Sequence, residues 1–466
     1  MKVKIEKIVF GGAGLGRLED PEKPNGLGAS GRVVFVWNAL PGEEVEFELI
    51  KKEKTHWEGV ATKILNPSPA RLEPKEAHYL SCSPWQIMTP EEENKWKIEM
   101  AKETYQKIGG FDCELELAGN DVDWGYRNKM EYSFAETVNH LTPDPSPCKG
   151  EGNIMLSFFE RGKKVRQCIE ACELANPEIN RVAKVILSWI NKNKIPMRSL
   201  KAMILRSNLK NEVIAALFIK DKLEFKDFPK LDKNFVGFKL YYSTHKSPAS
   251  VPTALLHAEG QDYLTEKILG TELKYGIFSF FQINIPVFEM ALKDIGQHIC
   301  NPCNLCPKSV VNSVVDFYSG VGSISLPLYN MYKGAVLVDN CAEAIEFARE
   351  NIDAVGKPPH PRTPLLGKER GELVAECMPA EKMTELITSD KIIIVDPPRA
   401  GLHEDVVKRI LAQKPARVIY LSCNLSTQAR DIKLLSEGYG VVFTKLYNFF
   451  PRTPHVEGLV VLEITK

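Results

Sequence analysis

The chain has 466 residues, 44% hydrophobic and 26% charged, with 60 Lys+Arg balancing 60 Asp+Glu. That length exceeds what one core usually serves and points to roughly two to four domains, while a net charge of zero announces no chain-wide affinity for a polyanion. The longest apolar runs, such as Lys391-Ile-Ile-Ile-Val-Asp396, fall far short of the roughly 18 residues of a membrane span, so no spanning helix is expected.

The amino terminus, Met1-Lys-Val-Lys-Ile-Glu, alternates charged and apolar residues and lacks the apolar centre of a secretory signal, so a cytoplasmic protein is expected. Eleven cysteines in such a chain argue for reduced thiols, metal ligands or a catalytic thiol rather than a disulfide framework. Residues 1 to 66 read as short strands of period two: Val3 to Val9, Arg32 to Trp37, Glu44 to Ile50 and Gly59 to Leu65, as in a small β-barrel. Gly11, Gly12, Gly14 and Gly16 precede no helical pattern, which makes them a turn between strands rather than a dinucleotide loop. The Pro-containing stretch from 66 to 74 is a linker.

From Glu91 to Ile108 helix formers run without Gly or Pro. Strand-like stretches follow at Ala202 to Arg206 and Glu212 to Ile219. Between 160 and 210, twelve Lys/Arg stand against four Glu, a local +8 that fits either a solvated face or contact with a phosphate backbone. Two stretches, near 139–152 and 356–372, join Thr-Pro to Lys/Glu/Gly-rich tails and read as mobile surface insertions. From Phe278 onward, apolar strands ending at Asp316, Asp339, Asp396 and Leu421 alternate with helical patterns, the mark of a doubly wound parallel sheet with its chemistry at the strands' carboxyl ends.

Asp316-Phe-Tyr-Ser-Gly320-Val-Gly322 follows one of these strands and precedes an apolar segment expected to be helical. Gly320 and Gly322 let backbone approach a ligand, and Asp339 at the next strand end can accept both ribose hydroxyls of a nucleoside cofactor. The spacing is similar to class I methyltransferases that use S-adenosylmethionine. A nicotinamide dehydrogenase would carry a third glycine where Ser323 and Ser325 stand. Three motifs then gather at later strand ends: Asp396-Pro-Pro-Arg399, Ser422-Cys423-Asn424 and Pro454-His-Val-Glu457. Each has a structural reading as well: a rigid turn, a buried small hydrophobe, a surface charge.

Together with Phe281-Gln-Ile-Asn284, these motifs resemble the RNA uracil-5-methyltransferase family, along nearly the whole chain apart from the insertions. The resemblance implies an α/β class I Rossmann-like methyltransferase domain over 266–466, an OB-like TRAM barrel over 1–66 and a central α+β RNA-binding domain over 75–265, with the helix near 91–109 packed on the catalytic domain. It implies S-adenosylmethionine as cofactor and structured RNA as substrate for a monomeric enzyme. By the same resemblance Cys423 is the nucleophile and Glu457 the base, while Gln282, Tyr318, Asp339 and Asp396 contact the cofactor or target base. Tyr126-Arg127-Asn128-Lys129 is similar to the family's central RNA-contacting motif. A TRAM-like domain favours 23S rRNA over tRNA; a tRNA uracil methylase and a catalytically idle RNA-binding scaffold are the alternatives.

Many family members hold an iron-sulfur cluster on four cysteines. The matching run here, His78-Tyr-Leu-Ser-Cys82-Ser-Pro-Trp-Gln86, has one, with Cys172 matching a distant fourth, which counts against the standard cluster. Cys300, Cys303 and Cys306 have a ferredoxin-like local spacing just ahead of the cofactor strand, and they read as free cysteines of an insertion. No metal site is assigned. A cytosine methylase would place Cys at Pro398, and an amino-group methylase an aromatic residue at Arg399.

Overall fold

The computed structural model describes residues 1–18, 31–137, 152–163, 165–248, 250–300, 313–355 and 372–465. The two expected insertions lie almost wholly outside these residues, as do Cys303 and Cys306. Five strands, β1 (Lys2–Ile8), β2 (Gly14–Leu18), β3 (Arg32–Trp37), β4 (Glu44–Lys52) and β5 (Trp57–Asn66), close into a barrel in the order β1-β2-β3-β5-β4. Their alternation buries Val3, Ile5, Val34, Val36, Val45 and Phe47 inside. Gly11 and Gly12 make the turn after β1, at φ near 97° and 98°, whereas Gly14 and Gly16 belong to β2 itself. A Cβ on Gly16 would meet Val3 Cγ2 at 2.5 Å, so close strand approach, rather than a turn, explains that glycine.

Past the barrel come the single-turn helix α1 (Tyr79–Cys82) and α2 (Pro90–Thr104), which runs on into a π-turn at Tyr105–Gly109. Thr89 caps α2, accepting from Glu92 N at 3.4 Å, and Glu91, Glu92 and Glu93 occupy the first turn, where the helix dipole favours acid. The short strand β6 (Leu117–Ala118) precedes β7 (Lys129–Glu136), β8 (Ile154–Phe159), β9 (Arg166–Ile169), helix α3 (Pro177–Lys192), β10 (Leu200–Ser207), β11 (Val213–Ile219), β12 (Phe235–Tyr242) and β13 (Ala254–Gly260). Seven of these strands pair in the order β13-β12-β11-β10-β7-β8-β9. The hairpin β14 (Tyr263–Ile268) and β15 (Thr271–Gly276) stands beside them.

The last third holds α4 (Ile285–Cys300), β16 (Ser313–Phe317), β17 (Gly334–Asp339), α5 (Ala342–Val355), β18 (Leu373–Cys377), β19 (Lys391–Val395), α6 (Glu404–Gln413), β20 (Arg417–Ser422), α7 (Leu425–Leu435), β21 (Tyr439–Tyr447) and β22 (Glu457–Ile464). The sheet order is β18-β17-β16-β19-β20-β22-β21-β6, with β22 antiparallel to both neighbours. Strand order reverses between β16 and β19, which opens a crevice at their carboxyl ends. After β16 the apolar segment expected to be helical forms turns and then a 3-10 helix over Leu326–Met331 rather than an α-helix. Pro327 there has no N–H to give to an α-helical ladder.

β10 and β11 are buried on both faces, which accounts for their unbroken apolar runs. Met203, Leu205, Ala215 and Leu217 pack with Ile179, Val182 and Ile186 of α3. Ala202, Ile204, Ala216 and Phe218 join the core that holds Ala291, Leu292 and Ile295 of α4 together with Ile394 of β19. The two large sheets therefore share one continuous apolar layer. No helix among the described residues is long and apolar enough to cross a membrane.

Candidate active site

The crevice is walled by acid. Asp316, on β16, is fully buried; its Oδ2 accepts from Ser325 N at 3.3 Å and its Oδ1 has no partner among the described residues. Burial, helped by the Asp339 carboxylate, raises its pKa to about 7. Asp339, at the end of β17, has its carboxylate held by Gly320 N at 2.9 Å and Cys341 N at 2.8 Å. Tyr318, Gly320 and Gly322 all adopt positive φ, at 63°, 56° and 84°. The two glycines do different work. A Cβ on Gly322 would collide with Leu326 Cδ1 at 2.6 Å and Leu337 Cδ2 at 2.8 Å, so that position is dictated by packing. A Cβ on Gly320 would find only Phe280 O at 3.4 Å, so Gly320 leaves an open cradle beside Asp339. Ser319 Oγ, buried and likewise unpartnered among the described residues, adds a donor to it.

Gln282 enters from the loop ahead of α4, its Nε2 donating to Asp396 Oδ2 at 3.2 Å. Its own carbonyl accepts from Asn128 Nδ2 at 2.9 Å. Buried Arg206 of β10 donates to the carbonyls of Gly276 (2.8 Å) and Ser279, which staples the preceding loop to the central sheet. Tyr126, in the same run as Asn128, donates to Pro451 O at 3.0 Å. The Tyr126–Lys129 motif is thus partly to fully buried, and these two contacts are with the loops that carry the site. Burial, with the Arg206 charge, lowers Lys129 to about 8.

Cys423 lies between β20 and α7, partly buried, in a cavity of about 170 Å³ lined by Phe10, Gly11, Arg399, Asn424 and His455 among others. Asn424 caps α7, accepting from Ser426 N at 3.2 Å, and donates to Arg399 O at 2.8 Å, so the Cys423 and Asp396-Pro-Pro-Arg399 loops are tied together. Burial and the Glu457 and Asp396 carboxylates push the Cys423 thiol up to about 12, with the Arg399 guanidinium opposing them. Glu457, the first residue of β22, is 3% exposed and its Oε2 is unpartnered among the described residues. Burial and then the Asp396 charge drive its pKa well above the carboxylate range. Burial raises Asp396 to about 8, with the Asp316 charge adding to it and the Gln282 amide opposing it. His455 stays neutral, lowered to about 4 by burial and by Arg399.

Arg399, quoted in the sequence as the end of the Asp396-Pro-Pro-Arg399 motif but given no role there, lines the cavity, and its place after Asp396-Pro-Pro is the signal that marks it. Phe10 and Gly11, in the barrel's first turn, left no signal, since nothing local says that a turn reaches a site more than 400 residues later. The basic excess between 160 and 210 is divided between contacts within the protein and solvent. Arg161 donates to Leu80 O and stacks on Trp37 at 3.9 Å, Arg166 donates to Phe134 O, Lys201 donates to Thr244 O and Ser247 O, and Arg181 pairs with Asp232. Lys163, Lys184, Lys192, Lys194, Arg198 and Lys210 are exposed. Cys82, Cys113, Cys172, Cys300, Cys341, Cys377 and Cys423 are free thiols, while Cys168 is disulfide-bonded.

A profile of the tRNA (uracil-5-)-methyltransferase family matches residues 148–465. An RNA methyltransferase of Fusobacterium nucleatum is 28% identical over 99% of this chain and 95% of its own length. One from Nanoarchaeum equitans is 29% identical over 95% and 91%. Among solved structures, the Pyrococcus abyssi tRNA (uracil-54, C5)-methyltransferase, in complex with S-adenosyl-L-homocysteine, superposes with a TM-score of 0.69 at 22% identity. That superposition covers 99% of this chain and 100% of the other, a likeness of fold from the barrel to the last strand.

Proposed function

The chain belongs to the tRNA (uracil-5-)-methyltransferase family, and from that premise we propose that it methylates carbon 5 of a uridine in structured RNA through a transient bond to Cys423. The observation that carries the reading is the convergence of Cys423, Arg399 and His455 in one small cavity, with Glu457 and Asp396 close enough to act on the thiol's charge. Pockets for drug-sized ligands run from about 300 Å³ upward, so a cavity of about 170 Å³ suits a single planar base. A base stacked in a helix cannot enter it, and the target must lie in a loop or be flipped out.

S-adenosylmethionine, the cofactor of this activity, supplies an electrophilic methyl group when bound. The cradle fits such a nucleoside with an amino-acid tail: Gly320 leaves room for close approach, and Asp339 is held to accept ribose hydroxyls. Asp316 Oδ1 and Ser319 Oγ are left for polar groups of the tail, and Gln282 and Tyr318 flank the crevice.

Uracil carbon 5 is a poor nucleophile. The Cys423 thiolate adds to carbon 6, and the displaced electron pair makes carbon 5 enolate-like. Asp396 shares a hydrogen bond with the edge of the base. Once carbon 5 is methylated, Glu457 removes its proton. The electron pair re-forms the C5–C6 double bond as the C6–S bond breaks and returns the thiolate. Phe10, half exposed at the cavity mouth, offers an aromatic face to the RNA.

RNA bearing 5-fluorouridine at the target keeps a fluorine where the proton must leave, so the wild type should be trapped as a covalent complex and Cys423→Ala should not. Equal trapping by the variant would refute the nucleophile. The barrel does not choose between 23S rRNA and tRNA, because the solved tRNA (uracil-54, C5)-methyltransferase aligns along the barrel as well. Mapping 5-methyluridine in both RNAs, with and without the gene, assigns the target. No change in either RNA would return the idle scaffold as the reading.

A further inference from the structure

The segment joining the barrel to α2 brings Glu76, His78 and Cys82 together with Cys172, from the loop between β9 and α3. Their ligand atoms all lie within 4.8 Å of one another. His78 is 7% exposed and Cys172 is fully buried. His78 Nε2 makes no hydrogen bond among the described residues, although Glu76 Oε1 stands 3.1 Å away. A buried imidazole nitrogen, a carboxylate and two sulfurs thus share one small space, a donor set of the kind that holds a divalent cation.

Surrounding bonds hold each donor in place. Glu76 Oε1 accepts from Glu173 N at 2.7 Å and Oε2 from Gln86 Nε2 at 2.8 Å. Cys82 Sγ lies 3.0 Å from Ser83 Oγ. The backbone of Cys172 is bracketed by the Asn180 side chain of α3, at 3.1 Å to its N and 3.0 Å to its O. Such outer partners are what orient ligands around a metal. The four-cysteine iron-sulfur cluster of the family does not fit here. Only two of the four donors are sulfur, whereas that cluster is held by four Cys thiolates. A single tetrahedral ion does fit: metal–ligand bonds of about 2.0 to 2.3 Å place donor atoms roughly 3.3 to 3.8 Å apart, a contraction that side-chain rotation supplies.

We propose that Glu76, His78, Cys82 and Cys172 bind one divalent cation of the zinc class as a closed structural site. The ion ties the segment behind the barrel to the central sheet. Its consequence runs through Trp85, three residues beyond Cys82, whose Nε1 donates to Gly12 O at 3.0 Å and whose N donates to Arg452 O at 3.2 Å. A clip at Cys82 therefore steadies both the barrel turn that lines the Cys423 cavity and the loop that leads to Glu457. The proposal is independent of the RNA target and of the covalent mechanism.

The test is elemental analysis of the full-length protein purified without chelator or added metal, followed by cobalt titration of the protein stripped under reducing conditions. The expected result is about one zinc per chain with no acid-labile sulfide. Co²⁺ should bind at one equivalent, with thiolate-to-cobalt charge-transfer bands and the visible bands of a tetrahedral site. Cys172→Ser and His78→Ala should weaken or abolish that spectrum, and Cys341→Ser should leave it unchanged. Iron with stoichiometric sulfide would overturn the proposal in favour of a cluster. So would folded, reduced wild-type protein that takes up no cobalt, including protein whose Cys82 and Cys172 are found joined as a disulfide before reduction. If a variant fails to fold, the wild-type titration still decides.

Discussion

Glu457 and Cys423 share a site whose burial opposes the ionised form of both, so the resting enzyme holds protons that the reaction must move. Adduct formation with 5-fluorouridine RNA should accelerate as pH rises from about 7 to 9, because more of the raised thiol is then ionised; a flat profile measured by gel shift would contradict this. Glu457→Gln removes the base while keeping shape and neutral charge. It should lower turnover by about 10²-fold or more and let the methylated covalent complex accumulate on ordinary RNA, as read by denaturing gels. Asp316 carries a separate, structural pH dependence. Its folded value of about 7 exceeds the ordinary Asp value near 4, so its contribution to stability is complete below about pH 4 and is lost as pH rises through 7. Urea denaturation should show stability falling between about pH 4 and 7, by up to a few kcal/mol, and Asp316→Asn should flatten that slope.

At the scale of elements, α2 acts as the clamp on the loop between β21 and β22. Lys97, wholly buried, donates to Glu93 Oε1 at 2.7 Å, Asn448 Oδ1 at 2.6 Å and Phe450 O at 3.1 Å. Glu93 in turn accepts from Arg452 N at 3.0 Å. Arg452 sits at a φ of 64° and spends its guanidinium on Met88 O and Asp123. Lys97→Met leaves Glu93 with Arg452, 3.9 Å away, in place of its nearer cation, and breaking a buried pair costs about 3 kcal/mol or more. Chemical denaturation should show that loss, with turnover falling further than stability alone explains because the loop leads to Glu457. α7 fixes the other flank: Gln428 donates to Tyr420 O and Gly458 O, each at 2.9 Å, and accepts from Tyr105 at 2.7 Å. The helix itself was legible from Glu91 to Ile108 by composition. Its partners were not, because they lie more than 300 residues away.

At the scale of the molecule, the barrel is part of the site's wall. Gly12, at a φ of 98°, faces Pro454, whose Cβ would lie 2.3 Å from any Cβ placed there. Gly12→Val should push the barrel turn off the Pro454 loop and lower the rate of RNA trapping by at least tenfold, while cofactor affinity, measured by calorimetry, stays near wild type because the atoms that a Cβ there would meet, in Pro454 and Trp85, are not part of the Asp339 cradle. Equal losses in both would mean that the whole fold had been disturbed. The strands ending at Asp316, Asp339, Asp396 and Leu421 were readable because central parallel strands must be apolar on both faces. The barrel was readable because its strands have only one buried face. β13, largely exposed, and β21, mixed in its burial, carried no such period and went unseen, as did β18 at the sheet's edge. The sequence by itself determined which thiol, which carboxylates and which glycine-bearing turn stand at strand ends, since those identities and local spacings are covalent facts. Only the tertiary structure decided their surroundings, by burying Glu457 and Asp396 within electrostatic reach of Cys423, turning part of the basic stretch inward, and gathering Glu76, His78, Cys82 and Cys172. Desolvation and through-space charge depend on distances that no local pattern encodes.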